Sequence, residues 1–551
     1  MRTEAKITMS RMEGTRISRR EFFLPFMTGG LILAGYRPLG LMSSCSRGST
    51  GIRRFHACLS SQTWEDHPEL PSLISKAGIT DIWLGAFFYG KWYRRPGELR
   101  NLAGKLEHEG FRVHIVNVPL GHPGDALGMD ENTDYLATPP EHWKNACTVD
   151  GLLYSGTSIH PPAVRENAAA LKELGMEGFT TVFLDDDFRV ARMPGIIGGC
   201  FCNDCRDGFL NKYGLTMTDW DDLILSVRNR NPSKVLKSWI DHICTLESGM
   251  FDTLQRAVPD MQIGNMIMYL GSEKAGIELE RYRDVPFRVG EFMFDDLHFS
   301  PIKGKTDELF SVLFHRRFAR PELAYSETTA FPADALSARN LAAKLSISLL
   351  ADVRNTMFMS GLQPYPFEYW EVLGPAMRKS AAIHESVAGH QPAGPLKHFW
   401  GWDNRLVGTD KPFSLFLASG IPFGVTEELT PDGWFFLSDE DARAVEEGRL
   451  AARGKNILVR NSAGVTGDPF RPMEEDLASL MRWKHQIIRE LKDIPYLDGD
   501  TPAVFAWYPS AGKALIWNVE EKTNHYQVMR NGKTLRSVSV DALDVLLVSD
   551  L

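Results

Sequence analysis

The sequence predicts an α/β protein: a (β/α)₈ TIM barrel, then a small flavodoxin-like α/β domain and a C-terminal antiparallel β module. Three observations carry this. Eight apolar, strand-like runs alternate with helical patterns between residues 51 and 394. The runs are apolar on both faces, as strands covered on both sides must be. Polar residues gather at the strand ends, which favours closure over the competing architecture, an open doubly wound sheet.

The elements follow in order. "FHACLSS" (55–61) reads as the first strand and "HPELPSLISKAG" as a helix stopping at Gly78. "TDIWLGAFF", "FRVHIVNVPL" and "FTTVFLDDD" are the second to fourth strands, with helices "PGELRNLAGKLEHEG" and "AVRENAAALKELG" between them. An insertion then carries a cysteine cluster and two helical patterns. "QIGNMIMYL", "FRVGEFMFDD", "ELAYSETT" and "VRNTMFMSG" complete the eight strands, and "ALSARNLAAKLSISLLAD" and "FEYWEVLGPAMRKSAAIHESVAG" are helices. "GHQPAGPLKH" (389–398) marks a boundary. Residues 395–498 repeat a strand–helix–strand pattern, and 499–551 alternate apolar and polar residues as an antiparallel module does. Trp434, Phe435 and Phe436 read equally as core or as a subunit interface of a homo-oligomer.

Residues 1–50 read as a signal and linker outside the folded domains. Arg19-Arg20 before a glycine-broken apolar stretch resembles a twin-arginine export signal, and Met42-Ser43-Ser44-Cys45 resembles a lipoprotein processing site. The expected location is the periplasm, or the cell envelope through a lipid on Cys45; simple cleavage near Ser44 is the alternative. Apart from such an anchor no membrane contact is expected, the apolar stretch being too short to span. The net charge is −9, and removal of the basic leader leaves about −13. An acidic surface repels phosphate backbones, which argues against nucleic-acid binding.

Three of the seven cysteines form Cys200-Phe-Cys202-Asn-Asp-Cys205. Thiols this close cannot all pair as unstrained disulfides. With one distant cysteine they make a four-sulfur Zn²⁺ shell with no open position, hence a structural metal; Cys147 is the best fourth ligand. A disulfide with free thiols is the alternative in an exported chain. Cys58 and Cys244 read as core residues.

Barrel enzymes place catalysis at the C-terminal strand ends. That rule singles out Asp185, Asp186 and Asp187 on strand four, Asp295 and Asp296 after strand six, and Glu327 on strand seven. A carboxylic acid and a carboxylate across a glycosidic bond are the minimum for glycoside hydrolysis. Each also has a structural role open to it: Asp186 as a cap or partner of Arg189, the triplet as a divalent-cation site, Glu327 as a helix cap. Trp83, Phe88, Tyr89, Trp92, Tyr269 and Trp370 are candidate substrate-binding residues, because aromatic faces stack on sugar rings.

This order of features resembles the family 42 β-galactosidases of the retaining (β/α)₈ glycosidase clan. The resemblance implies a glycoside hydrolase acting on a carbohydrate, Cys147 as fourth ligand of a structural zinc, and a shortened trimerisation domain. Carried over by position, Asp187 is the acid/base and Glu327, in "SETT", the nucleophile. The family's Asp-Asn-Glu reads Asp185-Asp186-Asp187 here, so β-galactosidase activity is not implied. A second scheme, that of α-glycosidase barrels, uses Asp185 or Asp187 as nucleophile and Asp295 or Asp296 as acid. A glycan-binding protein that lost catalysis and a metal-dependent hydrolase using the acidic triplet are the competing classes.

Overall fold

A computed structural model describes residues 53–121, 139–185, 188–192, 195–267, 269–289, 293–454 and 456–551. The chain divides into two units, Met1–Ser49 and Thr50–Leu551. All described residues belong to the second, so the export signal and Cys45 lie outside them.

Eight parallel strands form the barrel: β1 (Arg54–Leu59), β2 (Asp81–Phe88), β3 (Arg112–Val118), β4 (Thr181–Leu184), β5 (Gln262–Ile267), β6 (Phe287–Val289), β7 (Ala324–Thr329) and β8 (Asn355–Met359). Each pairs with its sequence neighbour, and β1 pairs with both β8 and β2, which closes the sheet. β6 is shorter than its apolar pattern: after the gap in the described residues the chain runs as a loop from Met293, and Asp296 begins a short helix, Asp296–Phe299.

The lumen is filled with side chains. Trp83 lies between Phe183 and His114, with ring centroids 4.8 and 4.6 Å away, and its indole N–H donates to His56 Nδ1 (3.1 Å). Burial pushes the pKa of His56 down to about 3, so it stays neutral and can accept. At this N-terminal end Asp81 accepts from Arg112 Nε (2.9 Å), His114 Nε2 (2.9 Å) and Thr80 Oγ1 (2.6 Å).

Between β4 and β5 three helices, Asn203–Tyr213, Met217–Asn229 and Lys234–Ala257, build a satellite core around Phe209, Trp220 and Trp239. Gly199 admits it: its φ is +107°, and a Cβ there would lie 2.4 Å from the Trp239 ring. Among the described residues no helix is long and apolar enough to cross a membrane.

The second domain is a five-stranded parallel sheet of β9 (Leu396–Phe399), β10 (Phe423–Thr426), β11 (Trp434–Leu437), β12 (Ile457–Arg460) and β13 (Phe470–Met473), in the order β10-β9-β11-β12-β13. That is a flavodoxin-like order. Trp434, Phe435 and Phe436 are buried in its core and offer no subunit interface. Two small antiparallel sheets end the chain. A short 3-10 turn after β5 fastens the second domain to the barrel: Glu273 pairs with Arg405, and Lys274 with Asp410 (2.5 Å), all four side chains at most 10% exposed.

Candidate active site

β4, β6 and β7 bring three ionisable groups together near the C-terminal end of the lumen. Asp185 follows β4, and its N–H donates to Asn117 O (2.7 Å). Its carboxylate pairs with Arg288 of β6, a guanidinium only 1% exposed. Arg288 also lies against the sulfurs of Met266, Met357 and Met359 at 2.6, 3.1 and 3.0 Å. Glu327 projects from the middle of β7 and is 5% exposed. Thr329 Oγ1 donates to its Oε1 (3.1 Å), while Oε2 is buried with no hydrogen-bond partner among the described residues.

The electrostatics differ on the two sides. Burial pushes the pKa of Glu327 up to about 7; Arg288 opposes that rise and the Asp185 charge adds to it. Asp185 carries the ion pair. The lumen thus holds one carboxyl that keeps its proton near neutrality and one matched to a fixed cation, the division of labour that acid and base chemistry needs.

Asp186 and Asp187 lie outside the described residues. Glu327 is not a helix cap: it sits within β7, and Ser337 caps the next helix, Ala338–Leu350. Asp295 and Asp296 do not join the lumenal group. Asp295 caps its short helix by accepting from His298 N (2.8 Å), and Asp296 accepts from Ser337 N (3.0 Å) and Asn340 Nδ2 (2.7 Å).

Most of the aromatics read as substrate-binding are core. Trp83 is in the lower lumen, as described. Phe88 and Tyr89 are 5% and 1% exposed and pack in the lumenal cluster; Trp370 is 4% exposed beside Phe358. Trp92 is part-buried against Phe87, and Tyr269, 6% exposed, lines a cavity outside the lumen.

The Cys200, Cys202 and Cys205 sulfurs lie within 4.8 Å of one another. Phe201 N donates to Cys147 O (2.8 Å), which brings the predicted fourth ligand alongside, although the Cys147 thiol faces Thr148 O (3.6 Å). None of the six described cysteines is in a disulfide. Three clustered soft donors with a fourth beside them fit Zn²⁺. His56, Asp81 and His114 also cluster, at the opposite end of the barrel, but Arg112 already neutralises Asp81 there. Sequence reasoning missed Arg288. The one signal was a cation alternating with apolar residues in "FRV", a position that faces the lumen.

No protein-family model and no curated protein matches the sequence. Solved structures do match. A β-galactosidase from Rahnella sp. R3 superposes with a TM-score of 0.60 at 10% identity, covering 91% of this chain and 98% of that one. A catalytic mutant of a GH42 β-galactosidase from G. stearothermophilus gives 0.58 at 10% identity, over 90% and 98%. The chain has the fold of the GH42 β-galactosidases. The GH42 likeness spans the barrel and both following domains, as those coverages require, and at such identity what it shows is the fold.

Proposed function

We propose that the protein is a glycoside hydrolase acting on a glycan or oligosaccharide, with Glu327 and the strand-four aspartates as its reacting carboxylates. The observation that carries this reading is the Asp185–Arg288–Glu327 group in the upper lumen, where barrel enzymes do their chemistry. Hydrolysis needs a proton delivered to the leaving oxygen and a carboxylate to attack the anomeric carbon or to activate water. The likeness to solved β-galactosidases supports the substrate class. We also propose a structural zinc on Cys147, Cys200, Cys202 and Cys205, and export through the twin-arginine-type leader.

Two assignments of roles follow. In the first, Asp187 donates the proton and Glu327 attacks, giving a covalent glycosyl-enzyme and retained configuration. In the second, Glu327 donates the proton and Asp185, paired with Arg288, is the carboxylate that attacks or activates water; the proton that burial holds on Glu327 up to about pH 7 favours this one. The pH profile of kcat/KM separates them. A donor loses activity as pH rises past about 7, whereas a nucleophile loses it as pH falls below that value. Under either assignment, Glu327→Ala lowers turnover on a panel of glycans and aryl glycosides by about 10²–10⁴-fold. Undiminished turnover in that variant overturns the proposal. Glycan binding without turnover by the unmutated protein favours the non-catalytic binding class.

A further inference from the structure

A cavity of about 580 Å³ opens between the barrel and the second domain. That volume lies within the range of about 300–1,000 Å³ typical of small-molecule sites. Neither Asp185 nor Glu327 lines it. One wall is Tyr269, two residues past β5, with Met293, and Lys303 and Asp307 from the helix Ile302–His315. The opposite wall is the C-terminal edge of the second sheet, at the ends of β11, β12 and β13. Ligand sites form at the C-terminal edges of parallel sheets, and here two such edges share one space. The topological switch point of the second sheet, between β9 and β11, is itself filled: Gly401 N (2.8 Å) and Asn404 Nδ2 donate to buried Asp441.

The walls say what would fit. Arg460 Nε donates to Glu475 Oε2 (2.7 Å) and its Nη1 to Asp439 Oδ1 (3.3 Å), while Ser462 Oγ donates to Asp439 Oδ2 (3.0 Å). Lys303 lies 3.4 Å from Glu475 and pairs with Asp307. Lys303 also donates to Pro412 O (3.2 Å) and Ser414 Oγ (3.2 Å), and Arg460 Nη2 to Lys411 O (3.1 Å) and Pro412 O (2.6 Å), so these two cations are used up and what the walls still offer is chiefly carboxylate lone pairs. The lining has five acids against three bases, and from outside it Lys274 pairs with Asp410 and Arg443 with Glu440, so no net charge is left to hold an ion. Tyr269 and Met293 add apolar surface. Carboxylate acceptors beside an aromatic ring, in a charge-balanced hollow, suit an uncharged ligand bearing many hydroxyl donors and disfavour one bearing carboxylates.

We infer that this cavity is a second carbohydrate-binding site, which holds uncharged sugar units away from the bond on which Glu327 acts. The inference rests on the glycoside hydrolase reading for its substrate, but its test does not need turnover. Calorimetric titration of the full-length Glu327→Gln protein, with uncharged oligosaccharides of increasing length, measures binding alone. Ser462→Trp and Lys411→Trp each place a ring in the cavity from an exposed position on its rim. In the Glu327→Gln background, with unfolding temperatures within a few degrees of the parent, each weakens binding about tenfold or more, a loss of about 1.4 kcal/mol or greater. An oligosaccharide of uronic acids binds more weakly than its uncharged counterpart. Unchanged affinity in both tryptophan variants, tighter binding of the uronic-acid chain, or no binding of any sugar by the folded protein overturns the inference. Failure of the unmutated protein to hydrolyse any glycan, with this binding intact, would instead remove the catalytic reading and leave the second site standing.

Discussion

At the scale of single residues, Glu327 ties the proposed chemistry to stability. Its folded pKa of about 7 exceeds the ordinary glutamate value of 4.5, because burial penalises the charge. The folded state therefore binds the extra proton between those values, and this contribution to stability, complete below about pH 4.5, is lost as pH rises through about 7. The ionised form costs up to about 3 kcal/mol. Glu327→Gln, which cannot ionise, gains stability over the parent at pH 8 by up to that order, and nothing near pH 4, in denaturant unfolding. Equal stabilities at pH 8 would show that the carboxylate is compensated in the folded protein. Glu327 was legible as a lumenal acid because it stands inside an apolar strand run. Arg288 was not, since a lone cation in a short strand gives no hint of what it meets across a barrel. Phe88 failed for a different reason. A bulge between Gly85 and Phe88 shifts the register of β2 against β3, and the Phe88 ring covers Gly85, where a Cβ would sit 2.8 Å from it. Simple alternation cannot foresee that change of face.

At the scale of elements, the cysteine loop and strand six show what pattern can and cannot reach. The C-x-C-x-x-C spacing is local, so its three sulfurs converge as spacing alone requires. Cys147 depends on the hairpin of Asn145–Cys147 and Leu153–Thr157 folding back, which no local rule contains. If the four thiolates hold zinc, purified protein carries one equivalent per chain by metal analysis. Cys202→Ser lowers that content severalfold and destabilises the insertion, detected as faster proteolysis between β4 and β5. Full zinc content in that variant would place the metal elsewhere. Strand six was read too long because its apolar run continues past Val289. In the structure Met293 N is taken by Glu308 Oε1 (2.8 Å), and Phe331 N donates to Phe294 O (3.0 Å), so this stretch bonds to a helix and a loop rather than to a ladder. That is why Asp295 and Asp296 became caps instead of lumenal acids.

At the scale of the whole molecule, the alternation of eight strands and helices was readable because each unit announces itself locally. How the second domain seats on the barrel was not, for it depends on two ion pairs spanning more than a hundred residues, Glu273–Arg405 and Lys274–Asp410. Removing one member of a buried pair strands its partner, at a cost of about 3–5 kcal/mol. Lys274→Met should therefore lower stability by that order in denaturant melts, and the Lys274→Met/Asp410→Leu double variant should recover most of it. A single variant as stable as the parent would mean that water reaches Asp410. The seam has one more property. Two adjacent residues of opposite sign, Glu273 and Lys274, meet two sites of opposite sign, so the contact has a phase as well as a strength. Gaining or losing a single residue in the turn after β5 would present like charge to like charge, and a favourable junction would become a repulsive one. The spacing of that turn is thus a code for how the domains seat, written in polarity rather than in shape.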